Sequence, residues 1–355
     1  MIAYYAHQHG SGHSNCAQIL ANSDPENVLV LTSYPFVFSR GTQVYFLPSE
    51  DPDGSGAPSG SYDTPDYLHY SPVGQTSIQK RSATLLNVCL ANSVELLIVD
   101  VSVEIAALCR AASIPYAYVR LLGKRSDTAH LQAFRGAVVL LAYYPMALEP
   151  EDTPLWIREK TIYLGFLSRF EQKTQYIKPK EIKNIVVLSG KGGNDKLLSL
   201  YPFIKNRFKE SRLHFFNGCE VVHVEGNSTY HPHTSEIEDW INNADAVITS
   251  CGLNTISELL YLKKTILSVA EERPYDEQII FQEQLEARGL VCSLEWALDK
   301  SDIDILGSTV DPSAYLNNNL LTAFLKLADD KSHIWDLKQI ERFNHNGIFT
   351  YSTCS

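Results

Sequence analysis

Residues 246–258 read AVITSCGLNTISE. Ala246 to Ser250 form a short apolar run of strand type, and after the Ser250-Cys251-Gly252 turn a helical pattern continues over 254–262. A strand that feeds a helix through a glycine-bearing turn is the repeating half of a wound α/β fold. The start of such a helix presents unpaired N–H groups and the positive end of the macrodipole, a natural seat for a diphosphate. Gly252 lets the backbone approach the phosphates, Asn254 and Thr255 offer side-chain donors, and Glu258, one turn on, can accept from ribose hydroxyls. Thr255-x-x-Glu258 also fits a plain capping box that only closes the helix start.

The winding extends both ways. Downstream lie a strand at Thr265 to Val269 and a helix from about Glu277 to Arg288; upstream, strands at Ile185 to Ser189, Leu213 to Phe216 and Val221 to Val224 alternate with helices over 195–208 and 235–243. The first half repeats the pattern, with strands at Ile2 to Ala6, Val28 to Thr32, Val44 to Leu47, Leu96 to Asp100, Pro115 to Arg120 and Val138 to Tyr143 and helices over 14–22, 76–92 and 102–112. This predicts α/β architecture with two Rossmann-like domains, each a parallel sheet covered on both faces. A polar, Lys-rich linker at 168–183 separates an N-terminal domain, 1–167, from a C-terminal one, 184–330. In the tail, 331–355, Trp335, Ile340 and Phe343 stand at near-helical spacing and are expected to pack back onto the lobes. A chain of 355 residues suits two units, because single cores stop growing at about 250–300.

Bulk properties exclude several classes. A net charge of −11 and no basic stripe disfavour a nucleic-acid partner, and leave at most peripheral membrane contact. The seven cysteines (16, 89, 109, 219, 251, 292 and 354) are scattered with no Cys-x-x-Cys pair, so neither a disulfide framework nor a zinc knuckle is indicated and a reducing, cytoplasmic setting is expected. The chain starts directly in a strand, without a signal-peptide pattern, and has no run of about 18 apolar residues.

Two further turns carry chemistry. His7 to His13 follow the first strand, at the sheet edge where wound folds bind ligands. Gly10 and Gly12 give only Gly-x-Gly, with Asn15 in place of the third glycine, so a nicotinamide cofactor gains little support. His7, His9 and His13 lack carboxylates at metal-site spacing, and no metal is expected. The turn Ser189-Gly190-Lys191-Gly192-Gly193-Asn194 lacks the Gly-Lys-Ser/Thr ending of a P-loop, which disfavours a nucleotide hydrolase. The segment 48–72, dense in Gly, Pro, Ser and Tyr, reads as a long loop that is functional or disordered, with Tyr62, Tyr67 and Tyr70 able to stack an acceptor.

The 250–258 stretch resembles the donor box of two-domain glycosyltransferases, including plant small-molecule glucosyltransferases and the bacterial enzyme that adds N-acetylglucosamine to lipid I. Cys251, Gly252, Asn254, Thr255 and Glu258 fall in register with it, while Ser250 stands where the plant enzymes carry a phosphate-binding His. The likeness covers about residues 235–290 and includes Glu277-Gln278, at the position of the pair that reads the donor sugar's hydroxyls. It implies two lobes facing each other across a cleft, a nucleoside-diphosphate sugar (UDP-linked by family frequency) as co-substrate, and no metal or other cofactor. By the same resemblance His13 is the general base, oriented by Asp100, and inversion follows at the anomeric carbon. Gly190, Lys191 and Gly192 approach the diphosphate, Lys191 as the cation, and the base lies near His233 and Thr234. Read from the residues alone, His13 can instead cap the first helix or bond a backbone carbonyl, Asp100 can head the next one, Lys191 can be a solvated loop lysine, and His231-Pro232-His233 can be a surface turn. Rival activities on this architecture are a nucleotide-sugar hydrolase or 2-epimerase, and a non-catalytic nucleotide-sugar sensor. The acceptor is left open between a glycan, a lipid-linked sugar and a small molecule.

Overall fold

The structure is a computed structural model that describes residues 1–8, 10–57, 62–190, 193–234, 236–317, 319–329 and 337–349. Two seven-stranded sheets form two lobes. In chain numbering the first runs 3-2-1-4-5-6-7: Gln43–Phe46, Val28–Thr32, Ile2–Ala6, Leu96–Asp100, Tyr116–Val119, Val139–Ala142 and Thr161–Tyr163, all parallel. Ile2–Ala6, Val28–Thr32 and Leu96–Asp100 are buried along their whole length, as expected of strands covered on both faces. The second sheet is parallel apart from an antiparallel edge hairpin, His223–Glu225 with Ser228–His231. Its centre is Asn184–Leu188 beside Ala246–Ser250, and Thr265–Val269 follows.

Register decides what meets at the sheet edges. Tyr5 pairs with Val99 in the first sheet, so the turn after Ala6 and the carboxylate of Asp100 emerge side by side at the carboxyl edge. In the second, Leu188 pairs with Thr249 and Ser250 with Val269, which brings the turns after 188, 250 and 269 together. Both edges lie at a point where strand order reverses, the usual place for a ligand in wound sheets.

Most expected elements form. The helix read over 195–208 is two pieces, Asp195–Ser199 and Tyr201–Arg207, because Pro202 cannot donate to the preceding turn. Ser228–His231, whose last residue had read as the start of a surface turn, is a strand beside Arg212–Phe216; its Ser-Thr composition hides it, and its burial comes from packing. The return to the first lobe begins before residue 331: Leu321, Phe324 and Leu325 of helix Asn319–Asp329 already sit in the core with Tyr4 and Ile98. The last helix, Leu337–Phe349, adds Ile340 to that core, and Asn344 bonds Tyr163 N (3.1 Å) and Thr161 O (2.8 Å), covering the open edge of the first sheet. Trp335 lies outside the described residues. An apolar seam joins the lobes, with Leu122, Tyr144 and Phe166 packed among Ile256, Leu260 and Phe281. Among the described residues no helix is long and apolar enough to cross a membrane.

Candidate active site

Between the two carboxyl edges lies a cleft of about 700 Å³ with residues of both lobes in its wall. On the first lobe's side, His13 sits in the first turn of helix Ser11–Ser23 and its Nδ1 is 2.8 Å from Asp100 Oδ2. Asp100 is buried, and the same oxygen accepts from Tyr4 Oη at 2.8 Å, so the carboxylate is fixed before it orients the imidazole. His13 commits Nδ1 to Asp100, and Asp100 does not cap the helix that follows it. The first helix has no side-chain cap, and Ser102, whose Oγ accepts from Ile105 N, caps the helix after Asp100. Burial pushes the His13 pKa down, but the charge and hydrogen bond of Asp100 outweigh it and the net shift is upward from 6.5. Val101, next in the chain, holds φ at 56°, a conformation that a β-branched side chain resists. It lines the cleft, so strain is stored beside the pair.

Across the cleft, helix Leu253–Tyr261 starts at Gly252 without a side-chain cap. That start lies three residues before Thr255, so Thr255 and Glu258 are not its capping box, and its first turn borders the cleft, whose wall includes Gly252, Asn254 and Thr255. A side chain at Gly252 would meet nothing within 4 Å, which leaves open space in front of the backbone there. Gly12 makes a different contact. A methyl on it would lie 2.7 Å from Asn254 Nδ2, so its smallness serves close approach of the lobes as much as any ligand.

Gly190 and Thr255 also border an adjoining pocket of about 140 Å³, formed with Phe216, His233, Thr234 and Glu258. Glu258 is held there by Arg169 of the linker, Nε to Oε1 at 2.8 Å; burial raises its pKa and Arg169 partly opposes this. Asn194 ties the 189–194 turn to the donor box, donating to Gly190 O and accepting from Ser250 Oγ. Ser250 and Cys251 are buried, Cys251 in the apolar seam, so they build the turn instead of facing the cleft. Lys191 and Gly192 lie outside the described residues, as does His9. The guanidinium at that end of the cleft is that of Arg273, which bonds Gly193 O at 2.7 Å.

The expected sugar-reading pair splits. Glu277 lines the cleft, its pKa raised by burial and pulled back by Arg125, which donates to it at 2.7 Å. Gln278 points away: it is buried, and its Oε1 accepts from Glu271 N at 3.0 Å, steadying a carboxylate that in turn accepts from Lys196 N and Leu197 N. One step along the helix, about 100°, turns Gln278 from the cleft wall into the interior.

Several residues were missed: Arg125, Arg273, Tyr275, His69 and His130 all line the cleft. Arg125 donates to Glu277 from the opposite lobe, and Lys124 N bonds Tyr275 O at 2.7 Å beside a Lys124–Asp276 ion pair. This clasp needs Gly123, at φ 120°, where a Cβ would come within 2.7 Å of Tyr275 O and 3.3 Å of Glu277 Cα. Gly123→Ala should therefore lose roughly 1–3 kcal/mol, read as a lower urea midpoint, and should weaken donor-sugar binding; an unchanged midpoint would show that the clasp is slack.

Asp127 bridges two imidazoles, His69 Nε2 at 2.9 Å and His130 Nδ1 at 2.6 Å. The three residues bring ligand atoms within 4.8 Å of one another, the composition of a two-imidazole, one-carboxylate metal site and a different place from histidines 7, 9 and 13. The hydrogen bonds assign it otherwise. Arg125 can only donate, so His130 Nε2 (3.1 Å away) is the acceptor, and the ring proton sits on Nδ1 facing Asp127. Burial, outweighing that bond, pushes the His130 pKa down to about 4, so the ring is neutral. Burial would raise the Asp127 pKa, but hydrogen bonds from His69 and His130 bring it well below the usual carboxylate range.

No family model matches the chain. Over 119 residues it is 28% identical to the UDP-N-acetylglucosamine--N-acetylmuramyl-(pentapeptide) pyrophosphoryl-undecaprenol N-acetylglucosamine transferase of Sulfurihydrogenibium sp. (strain YO3AOP1), a match spanning 32% of this chain and 34%, about a third, of that relative. Solved structures share the whole architecture. Acinetobacter baumannii MurG superposes with a TM-score of 0.54 at 12% identity, over 98% of this chain and 94% of that one. Phytolacca americana UGT2, complexed with UDP-2fluoro-glucose and pterostilbene, gives 0.58 at 12% identity over 100% and 95%. LpCGTa in complex with UDP gives 0.57 at 14% over 100% and 99%. The fold is the two-lobed glycosyltransferase fold.

Proposed function

We propose that this protein transfers a sugar from a nucleoside-diphosphate sugar, UDP-linked, to an acceptor hydroxyl with inversion at the anomeric carbon. The observation that carries the reading is the His13–Asp100 pair set, across one cleft, from a helix start that opens at Gly252 with no capping side chain among the described residues. UDP is favoured because LpCGTa and the Phytolacca americana enzyme were solved with UDP and a UDP-sugar.

The donor diphosphate rests on the amides after Gly252, with Thr255 beside it, the nucleoside extends into the pocket of Thr234 and Glu258, and the sugar reaches Glu277. His13 Nε2 takes the acceptor proton as the hydroxyl oxygen bonds to the anomeric carbon. The bond to the diphosphate oxygen breaks on the opposite face and its electron pair leaves with the nucleotide. Asp100 stabilises the imidazolium formed, and the helix amides and Arg273 meet the charge on the leaving group, so no step calls for a metal ion.

Incubation with UDP-sugars and an acceptor panel in EDTA, with product anomers read by NMR, tests this. One inverted glycoside and free UDP are expected. Release of free sugar or its 2-epimer at full rate without acceptor would instead assign a hydrolase or epimerase.

A further inference from the structure

The acceptor half of the cleft has an unusual chemistry. Two imidazoles in its wall, His13 and His69, each place one ring nitrogen against a buried or helix-capping carboxylate, Asp100 and Asp127. A neutral imidazole that gives its N–H to a carboxylate offers a lone pair on its other nitrogen. A lone pair asks for an O–H donor; it repels a carboxylate or phosphate, and a ketone or ether gives it nothing.

The loop that carries His69 is pinned in place. Glu104 Oε1 accepts from His69 N (2.9 Å) and Tyr70 N (2.8 Å), Asp127 holds the ring, and Tyr275 Oη of the other lobe lies 3.3 Å from Nε2. The aromatic ring that the second lobe gives to this wall, Tyr275, is already engaged. Tyr275 has the Arg125 guanidinium 4.9 Å over its ring and the His130 ring against it at 85° and 4.8 Å. Val101 and Leu121 are the aliphatic side chains that the first lobe gives to this wall. Imidazoles, carboxylates and the guanidinium groups of Arg125 and Arg273 stand in this wall beside apolar side chains such as Leu253 and Pro274.

From these observations, and resting on the transfer reading above, we propose that the acceptor is a saccharide and that His69, set by Asp127 and Glu104, is the residue that selects it by accepting a hydroxyl hydrogen bond. Asp127 acts through His69 as a positioning residue. The planar phenols that suit an apolar aglycone pocket are poor ligands here.

Saccharide binding is measured without donor by saturation-transfer NMR, using methyl glucoside, methyl galactoside and N-acetylglucosamine against 4-nitrophenol and quercetin. UDP binding is measured separately by calorimetry. The expected result is contact with at least one saccharide and weaker or no contact with the phenols. In turnover, His69→Ala should raise the saccharide KM by roughly three- to tenfold, the net worth of one hydrogen bond, with kcat and UDP affinity held. Asp127→Asn keeps the helix cap, so it folds, and should raise the same KM while leaving kcat in place. Phenols binding better than every saccharide, or an unchanged saccharide KM in His69→Ala, overturns the proposal. So does tight Zn²⁺ binding by the wild type that His69→Ala abolishes, since that makes the cluster a metal site. Failure of UDP to bind the wild type sinks the transfer reading alone, because saccharide contact is read in its absence.

Discussion

His13→Ala should lose roughly 10² to 10⁴ of kcat, the range removed with a general base, while calorimetric affinity for UDP stays at the wild-type value. The separation of effects follows from the geometry. His13 belongs to the first lobe and pairs with Asp100, whereas the amides and Thr255 that seat the diphosphate belong to the second. The pH dependence carries its own sign. A base works when deprotonated, and the His13 pKa lies above 6.5, so kcat/KM should fall with acid through a value higher than that of a free imidazole. In Asp100→Asn the larger raising charge is gone and only Glu277 is left to oppose burial, so the acid limb should move to lower pH even as the plateau drops. Linkage runs the same way. Folding favours the imidazolium, so its contribution to stability is complete below pH 6.5 and disappears as pH rises through the folded value. An acid limb unmoved in Asp100→Asn, or near-wild-type turnover in His13→Ala, would mean that another group removes the proton.

The central strands were legible because being buried on both faces forces continuous apolar runs, as in Ile2–Ala6 and Ala246–Ser250. The two turns that matter follow those strands, and the register of a parallel sheet then places His13 by Asp100 without further information. What the sequence hid is whatever depends on the two lobes facing each other. Arg125 meets Glu277 across 152 residues, and His69 meets Tyr275 across 206. No periodicity within either half encodes such pairs. One signal was available: Arg273 and Tyr275 occupy the loop after the strand Thr265–Val269, at the carboxyl edge where wound sheets bind ligands. Tyr275 and Asp276 at φ 65° and 53° show how far that loop is bent to reach the other lobe, and non-glycine residues give no warning of such a bend. Gln278 shows the opposite failure. Its place beside Glu277 suggests a shared role, yet one step along a helix turns its amide into the interior.

Glu258→Ala should weaken UDP binding by roughly 10- to 100-fold, corresponding to the 1.5–3 kcal/mol of hydrogen bonds to a charged group, with kcat at saturating donor little changed. The ribose hydroxyls have a competitor, because Arg169 already holds this carboxylate at 2.8 Å and 3.4 Å. Relative magnitudes decide which partner wins. The Arg169 side chain is 44% exposed, and such ion pairs contribute about 0–1 kcal/mol once water and salt screen them. Two hydroxyl bonds to a carboxylate that is 86% shielded outweigh that, so donor displaces Arg169 from Glu258. Arg169→Ala should accordingly change the UDP Kd by no more than about fivefold, and high salt should weaken donor binding less in the wild type than in the variant, because the salt that loosens the diphosphate also frees Glu258 from Arg169. Glu258 adds a pH signature: its pKa is raised by burial, so donor affinity should begin to fall, on acidification, above the usual carboxylate range. UDP binding that is unchanged in Glu258→Ala would place the ribose elsewhere and leave the Arg169–Glu258 pair as a strut between linker and lobe.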